Sequence, residues 1–453
     1  MPKICSFNIV VTDVSCGEEH TVFVQGDGGF VYAMGSNSEG RLGTGSQGAR
    51  ICNVPTLVDG ICNITKVACG SAHTLALGED GSVYSWGQAF YGALGITTMT
   101  QDDNSGVSPK KIQIENALSP NQIPSEAFGH KKVKQIEAGS RHSMFVTEDN
   151  RVYGCGDANQ GQLGLGENFK DRVMEPLCVQ ALSCNTIIQV ACGKYHTLIL
   201  LESTSNQKEL WAFGANNFGQ VGNNSNQNQF IPVRIDPRIP DSKGAKEKSH
   251  NFKQVSAWHS SAAVTEDGLM YVWGAGIFGE FKKPRKVKLQ NNILIDSIHV
   301  GGSFIVLVDT ERRIVVWGSN SNGEIGVGDS KVRNHPTRLE TIDEKQIAKV
   351  SVGSSFAFAI GKTSNRQENS IFNESAMRSH ISAVKNSESK IADPNEFDHN
   401  RTNQADIENG ERERVQVVRT QNRDMTINSL EEQLKQISMG TPNKNEKVDE
   451  SHG

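Results

Sequence analysis

The chain has 453 residues, of which 36% are hydrophobic and only 6% aromatic, and it contains 44 glycines. Its formal net charge is −5, so its average surface lacks the clustered lysine and arginine that phosphate contacts in nucleic-acid binding require. The sequence has no run of 18 apolar residues and no signal peptide at its start. We therefore expect a soluble, cytoplasmic protein with one large domain or two ordinary ones.

One pattern recurs along the chain, and residues 67–87 are its clearest copy. An apolar residue leads into Cys-Gly-x-x-His, which ends at His73, and an alternating run follows. This run breaks at Asp80-Gly81, a two-residue hairpin signal because glycine tolerates a positive φ. A second run then ends in Trp-Gly. Each copy is therefore predicted to begin with a β-hairpin.

Further motifs divide each copy into four short strands. The first motif ends at His20, His73, His142, His196, Ser261, Phe304 and Phe356. The second run ends at Gly35, Gly87, Gly156, Gly214, Gly274 and Gly318, and Gly-x-Leu-Gly turns begin at Gly40, Gly92, Gly161, Gly219 and Gly323. A Pro-x-x-apolar motif begins at Pro55, Pro109, Pro176, Pro232, Pro284 and Pro336. Because proline cannot donate a hydrogen bond to a β-ladder, it marks an outer strand. Stacking of these four-stranded units predicts an all-β, seven-bladed β-propeller.

The residues that could carry chemistry fit the repeat better than an active site. The four motif histidines are replaced by serine or phenylalanine in the other copies, so we interpret them as packed residues between blades. The nine cysteines form no zinc set, and we expect them to be reduced and mostly buried. The glycine-rich turns lack the Gly-Lys-Ser/Thr ending of a phosphate loop. We predict no catalytic residue, no metal site and no cofactor.

The motifs together resemble the repeats of the regulator of chromosome condensation family, over about residues 2–361. This resemblance implies a seven-bladed propeller. It leaves the function open, because members of the family serve as nucleotide exchange factors, ciliary and kinase-associated scaffolds, ubiquitin-ligase modules and a plant photoreceptor. The exchange factor's inserted β-wedge and basic N-terminal tail have no counterpart in this sequence, and the photoreceptor's Gly-Trp-Arg-His-Thr clusters are absent.

Two connections between predicted blades are longer than the others, residues 113–132 and 236–251. Loops carry specificity in a propeller, so we expect a protein partner to bind there. The candidate contacts are Gln113, Glu115, Asn121, Glu126, His130 and Lys132 in the first segment, and Asp236, Arg238, Asp241, Lys243 and Lys246 in the second.

A basic run at residues 282–288 resembles a short nuclear import signal or a phosphate patch. Pro284 and Val287 hold the outer-strand positions of blade five, so we interpret the run as a solvated edge whose charge blocks aberrant strand pairing. Trp258 stands where other copies have glycine, which predicts a local change of packing in the same blade.

The composition changes after about residue 376, and residues 377–453 are predicted to be a disordered tail. Residues 426–439 are an exception, because Ile427, Leu430, Leu434 and Ile437 fall on one helical face. Within the same segment, Ser429 and Glu432 form a capping box. A docking helix and a transient helix without a partner both remain open.

The propeller domain, residues 1–376, needs both of its ends to close. The sequence from Pro2 to Cys5 repeats the outer-strand pattern, so we predict that it is the outer strand of blade seven. We predict that residues 370–375 supply the third strand of that blade, between the strand at residues 356–360 and the N-terminal strand.

The sequence therefore predicts a non-enzymatic protein-binding propeller that is a monomeric disc. Two alternatives stay open: a guanine nucleotide exchange factor for a small GTPase, and a structural component of a ciliary or cytoskeletal assembly. No nucleic-acid partner is expected. A cytoplasmic location fits best, with ciliary, cytoskeletal and nuclear locations as alternatives.

Overall fold

Four-stranded antiparallel sheets make up the part of the protein that the structure describes. The computed structural model describes residues 3–5, 10–45, 50–96, 115–236, 251–289, 293–340, 346–362 and 415–419. These residues form seven such sheets. Among them, no helix has the length and apolar character needed to cross a membrane.

The chain enters through β1 (Lys3–Cys5) and then builds six blades, each from four consecutive strands. Blade one has β2 (Val11–Cys16), β3 (His20–Gln25), β4 (Val31–Ser36) and β5 (Ile51–Leu57). Blade two has β6 (Ile64–Cys69), β7 (His73–Gly78), β8 (Val83–Gly87) and β9 (Ala117–Gln122). Blade three has β10 (Val133–Ala138), β11 (His142–Thr147), β12 (Val152–Asp157) and β13 (Arg172–Cys178).

The second half of the ring repeats this build. Blade four has β14 (Thr186–Cys192), β15 (His196–Glu202), β16 (Lys208–Gly214) and β17 (Gln229–Ile235). Blade five has β18 (Phe252–Ala257), β19 (Ser261–Thr265), β20 (Met270–Gly276) and β21 (Gly279–Lys286). Blade six has β22 (Ile295–Val300), β23 (Phe304–Asp309), β24 (Ile314–Gly318) and β25 (Arg333–Arg338). Short 3₁₀ helices lie at Ser38–Gly40, Ser125–Phe128 and Gln180–Leu182.

The remaining sheet draws its strands from both ends of the chain. It contains β26 (Gln346–Val352), β27 (Ala357–Lys362), β28 (Val415–Arg419) and, at its outer edge, β1. Val418 of β28 is opposite Ala359 on one side and Ile4 on the other. The sequence predicts seven blades, the seventh closed by the N-terminal strand; the structure instead has six contiguous blades and this composite sheet, in which β1 is the outer strand.

The third strand of the composite sheet is not the predicted one. Residues 370–375 lie outside the described residues, and β28 occupies the place between β27 and β1. β28 lies within the segment that the composition predicts to be disordered. Val415, Val417 and Val418 explain the difference, because a short run of β-branched residues favours a strand even in a polar context. The predicted tail helix with Ile427, Leu430, Leu434 and Ile437 lies outside the described residues.

The outer strand of blade two is also not the predicted one. The Ile123 amide donates to the carbonyl of Val83 at 2.8 Å, as the Val58 amide does to Val31 in blade one. The outer-strand proline of this blade is therefore Pro120 and not Pro109. Two segments of the sequence match Pro-x-x-Ile, and only strand pairing distinguishes them.

Blade five has a shorter first turn than the repeat predicts. The Trp258 amide donates to the carbonyl of Ser260 at 2.9 Å, just as the Gly193 amide donates to His196 in blade four. Ser260, and not Ser261, therefore holds the histidine position. This deletion of one residue accompanies the change at Trp258 that the sequence indicates.

The innermost strands pack side by side around the axis, and the last one contacts the first. The Cys69 amide donates to Ser15 Oγ across one blade junction at 2.9 Å, and the Cys16 amide donates to Ser351 Oγ at 2.9 Å across the closing junction. The hydrophobic clusters lie between neighbouring blades; one of them unites Leu42 of blade one with Trp86 of blade two. Burial between blades therefore holds the ring together.

Successive connections in an antiparallel sheet alternate between its two ends. We call one end the histidine face; it carries the turns between the first and second strands and the connections between the third and fourth strands. The opposite end, the hairpin face, carries the hairpins between the second and third strands and the links between blades.

Candidate functional site

The motif histidines form a ladder of hydrogen bonds from blade to blade. Each Nε2 lies 2.7–3.0 Å from a hydroxyl on the second strand of the next blade. The pairs are His20 with Thr74, His73 with Ser143, His142 with Thr197, and His196 with Ser261. The imidazoles therefore join neighbouring blades, as the sequence predicts for packed residues.

The hydroxyls determine which ring nitrogen carries the proton. Ser143 Oγ donates to the carbonyl of Ala93 at 2.6 Å, and Thr197 Oγ1 donates to the carbonyl of Gln162 at 2.8 Å. Because each hydroxyl proton is used in this way, the hydroxyl oxygen accepts from the imidazole and Nε2 carries the proton. Both carbonyls belong to Gly-x-Leu-Gly turns, so this turn is part of the blade junction.

Burial opposes the charged form of these imidazoles. It lowers the pKa of His73 to about 4 and that of His142 to about 3, where neighbouring histidines contribute further. It also lowers the pKa of His196 to about 3. A general base works best with a pKa near the operating pH, and these groups are far below it. In the part of the chain that the structure describes, no three His, Cys, Asp or Glu residues are grouped to hold a metal ion.

The glycine of the first motif is required by the histidine three residues later. A Cβ on Gly70 would overlap the ring of His73 and approach the carbonyl of Gly139 in the next blade. A Cβ on Gly353 would meet the carbonyl of Gly17 across the closing junction. The Gly-x-x-His spacing is therefore a packing requirement of the blade junction.

The structure separates the predicted partner-binding residues. Asn121 lies on the outer strand β9, whereas Glu126, His130 and Lys132 lie in the link that follows it on the hairpin face. Glu115 precedes β9, at the end of a connection on the histidine face. Asp236 follows β17 on the hairpin face. Gln113, Arg238, Asp241, Lys243 and Lys246 lie outside the described residues, and the described candidates do not come together at one place.

The first predicted insertion contains the outer strand β9, and its residues 123–132 form a compact link. His130 has a φ of 58°, its amide donates to the carbonyl of Ser125 at 2.9 Å, and its Nδ1 lies 3.3 Å from Ser125 Oγ. Phe128 is buried beneath this turn. Since Pro120 belongs to the outer strand, the extra residues of this blade precede β9 and do not follow it.

An arginine–aromatic cluster that the sequence did not single out lies on the histidine face, between blades two and three. Arg172 donates through Nη1 to the carbonyl of Phe90 at 2.9 Å, and its guanidinium lies 4.7 Å from the centroid of the Phe90 ring. The guanidinium of Arg141 lies 4.2 Å from the centroid of Tyr91. The two aromatic rings meet edge to face at 5.0 Å. Phe90 is nevertheless 54% exposed.

The cluster continues toward blade four. Burial raises the pKa of Tyr195, and the nearby positive charge of Arg141 opposes that shift. Lys194 Nζ lies 5.6 Å from the centroid of the same ring. Phe218, in the turn of blade four, is 54% exposed. One feature of the sequence indicates this surface. The two residues before the turn glycine are Phe90 and Tyr91 in blade two, whereas blades one, three and six have two polar residues there.

The comparisons with known proteins agree with this fold. The family model for the RCC1-like domain matches residues 2–359. The chain is 30% identical over 342 residues to the ultraviolet-B receptor UVR8 of Arabidopsis thaliana, covering 73% of this chain and 70% of that protein. It is 28% identical over 357 residues to the E3 ubiquitin-protein ligase HERC2 of Homo sapiens, covering 76% of this chain but only 7% of that protein.

Solved structures show the same architecture. Human WBSCR16 has a TM-score of 0.64 at 22% identity, over 79% of this chain and 89% of that chain. Prp20p from Saccharomyces cerevisiae, described with its binding to Gsp1p and histones, has a TM-score of 0.60 at 20% identity, over 82% and 85% of the two chains. The resemblance drawn from the repeats is thereby confirmed, and the chain belongs to the RCC1-like domain family.

Proposed function

We propose that the chain is a non-enzymatic protein-binding module whose contact surface is the histidine face of blades two to four. The observation that supports this proposal most directly is the arginine–aromatic cluster of Phe90, Tyr91, Arg141 and Arg172. Tyrosine, phenylalanine and arginine are enriched at the centres of protein interfaces. Exposed Phe90 beside two guanidinium groups has this composition.

The cluster is held in place before any partner binds. Arg172 is fixed by its bond to the Phe90 carbonyl, and Arg141 by its position over Tyr91. Side chains that are already ordered lose less conformational entropy on binding. The buried histidines support the same proposal, because their imidazoles are used in blade junctions and not at a surface.

A quantitative proximity-labelling comparison tests the proposal. We expect Arg141→Ala together with Arg172→Ala to remove a defined set of labelled proteins that the wild-type chain retains. Arg151→Ala on the hairpin face, whose side chain is 59% exposed and pairs with Asp149 at 3.4 Å, is the matched control. Equal labelling by all three chains would refute this contact surface.

Regulation of a small GTPase is a second candidate, because Prp20p, which shares this fold, is described with its binding to Gsp1p. In this form of the proposal the partner is a small GTPase, and the propeller contacts it through the same face. Release of mant-nucleotide from a panel of small GTPases tests it. Faster nucleotide release that depends on Arg141 would support exchange activity. If release is not accelerated for any GTPase, the exchange proposal is wrong and only the binding proposal remains.

We place this activity in the cytoplasm, with the disc acting as a monomer. A structural role in a ciliary or cytoskeletal assembly would use the same rigid ring as a building block. Fluorescence imaging of the tagged full chain separates diffuse cytoplasmic signal from filament or cilium labelling.

A further inference from the structure

Blade five departs from the repeat where its last two strands connect. β20 and β21 form a tight hairpin in which Gly276 is opposite Gly279, and the Gly-x-Leu-Gly turn is missing. In the other contiguous blades the apolar residue of that turn is almost completely buried, at Leu42, Leu94, Leu163, Val221 and Ile325. The tip of the blade-five hairpin carries half-buried Phe278 instead.

The missing turn leaves an indole of blade six without an acceptor. Trp86 and Trp273 donate Nε1–H to turn carbonyls of the preceding blade, Arg41 at 3.0 Å and Gln220 at 2.9 Å. Trp317 holds the equivalent position in blade six and is 6% exposed, but its Nε1 has no hydrogen-bond partner among the described residues. A buried donor without an acceptor costs free energy. The junction of blades five and six therefore lacks a hydrogen bond that the repeat provides elsewhere.

Aromatic rings connect this junction to the surface of blade five. The centroid of Phe278 lies 5.8 Å from that of Trp317 and 6.1 Å from that of Phe281, and the two phenylalanine rings are nearly parallel at 15°. The Arg285 guanidinium lies 4.4 Å from the centroid of Phe281. We call Phe278, Phe281 and Arg285 the blade-five ridge. It offers a half-buried apolar surface next to a cation.

The strand that carries the ridge holds four cations and one acid, Glu280. Exposed cations follow one another along β21 and just after it, at Lys282, Lys283, Arg285, Lys286 and Lys288. None of them forms an ion pair with another described residue, whereas Lys170 pairs with Glu167 at 3.0 Å and Arg234 with Glu209 at 3.2 Å. In a chain with a net charge of −5, this strand is a local positive field.

The backbone of β21 is poorly suited to accept another strand. Pro284 has no amide to donate, and the carbonyl of Lys282 already accepts the Asn224 amide of blade four at 2.8 Å. Recognition at this edge must therefore use side chains. The cations extend over one short strand, which fits a short acidic segment better than the long path of a nucleic acid.

We propose that the blade-five ridge and the lysines beside it bind an extended acidic segment of a protein partner. Its carboxylates pair with Lys282, Lys283 and Lys286, and one apolar side chain packs on the stack of Phe278 and Phe281. This changes the interpretation of the basic run from a solvated edge to a binding surface.

Fluorescence anisotropy with a labelled nonapeptide of glutamates around a central leucine tests the proposal. We expect Lys282→Gln with Lys283→Gln to weaken binding about tenfold, because two charge pairs are lost. The matched control is Lys131→Gln with Lys132→Gln, an exposed lysine pair in the link before β10 on the hairpin face. Phe278→Ser should weaken binding of the leucine peptide and leave that of an all-glutamate peptide unchanged.

Two results would overturn the proposal. One is equal loss of binding in both double lysine variants, which would show general charge attraction. The other is that an oligothymidine of equal charge binds as tightly as the leucine peptide and that Phe278→Ser changes the affinity for neither of them. Arg141→Ala should bind the peptide as the wild type does, so the outcome is independent of the partner surface on blades two to four.

Discussion

His73 of blade two donates from Nε2 to the hydroxyl of Ser143 in blade three at 2.9 Å, and that hydroxyl donates to the Ala93 carbonyl of blade two. The Ser143 side chain thus joins the second strand of blade three both to the second strand and to the turn of blade two. Because the same arrangement recurs at three other junctions, the ladder is a property of the ring.

We expect His73→Ala to lower the free energy of unfolding by about 2–3 kcal/mol, since it removes a buried hydrogen bond and leaves a cavity. His73→Phe should cost less, because phenylalanine fills the same position at Phe304 and Phe356. Urea denaturation of both variants and of Ser143→Ala measures this. A full double-mutant cycle with no coupling between His73 and Ser143 would contradict the ladder.

Stability should fall on acidification. The buried histidines have pKa values depressed from the ordinary 6.5, to about 4 for His73 and about 3 for His142. Below pH 6.5 the unfolded chain therefore binds more protons than the folded chain, and the free energy of unfolding decreases as the pH falls toward 4. Within that pH range, each such histidine lowers the free energy of unfolding by about 1.4 kcal/mol for every unit by which the pH falls. Urea denaturation at several pH values should show a shallower slope for His73→Phe, and an unchanged slope would refute this origin.

Gly70→Ala should destabilise the ring by about 3 kcal/mol or more, because the new Cβ meets the His73 ring and the Gly139 carbonyl. Gly60→Ala is the control, since its Cβ has open space and only the φ of +85° opposes it, at a cost of about 1 kcal/mol. Thermal denaturation by circular dichroism compares the two. An equal loss in melting temperature for both variants would show that glycine is required at position 70 because of backbone strain and not because of packing against His73.

Removing either end strand should lower the melting temperature of the whole ring, because β1 and β28 complete one sheet. Deleting residues 1–10 or ending the chain at residue 414 should each do so by several degrees. Ending it at residue 419 keeps both strands and should leave the melting temperature unchanged. A chain ending at residue 376 that melts like the full chain would show that β28 does not contribute to closure.

The local sequence determined the blade. Turn glycines, the Gly-x-x-His packing unit and alternating strands recur with fixed spacing, and each is a requirement of backbone conformation or of burial that acts over a few residues. A unit with two apolar faces must stack on its neighbours, which is why the propeller and the family follow from the repeats.

Only the tertiary structure decided the features that depend on pairing between distant segments. Pro109 and Pro120 both satisfy the outer-strand pattern, and the hydrogen bond from Ile123 to Val83 selects the second. The same holds for β28, whose short valine run becomes a strand by pairing with β27 and β1. Arg141 and Tyr91 are far apart in sequence and meet because blades two and three are neighbours in the ring. Such contacts leave no periodic trace in the sequence, because each is set by long-range packing.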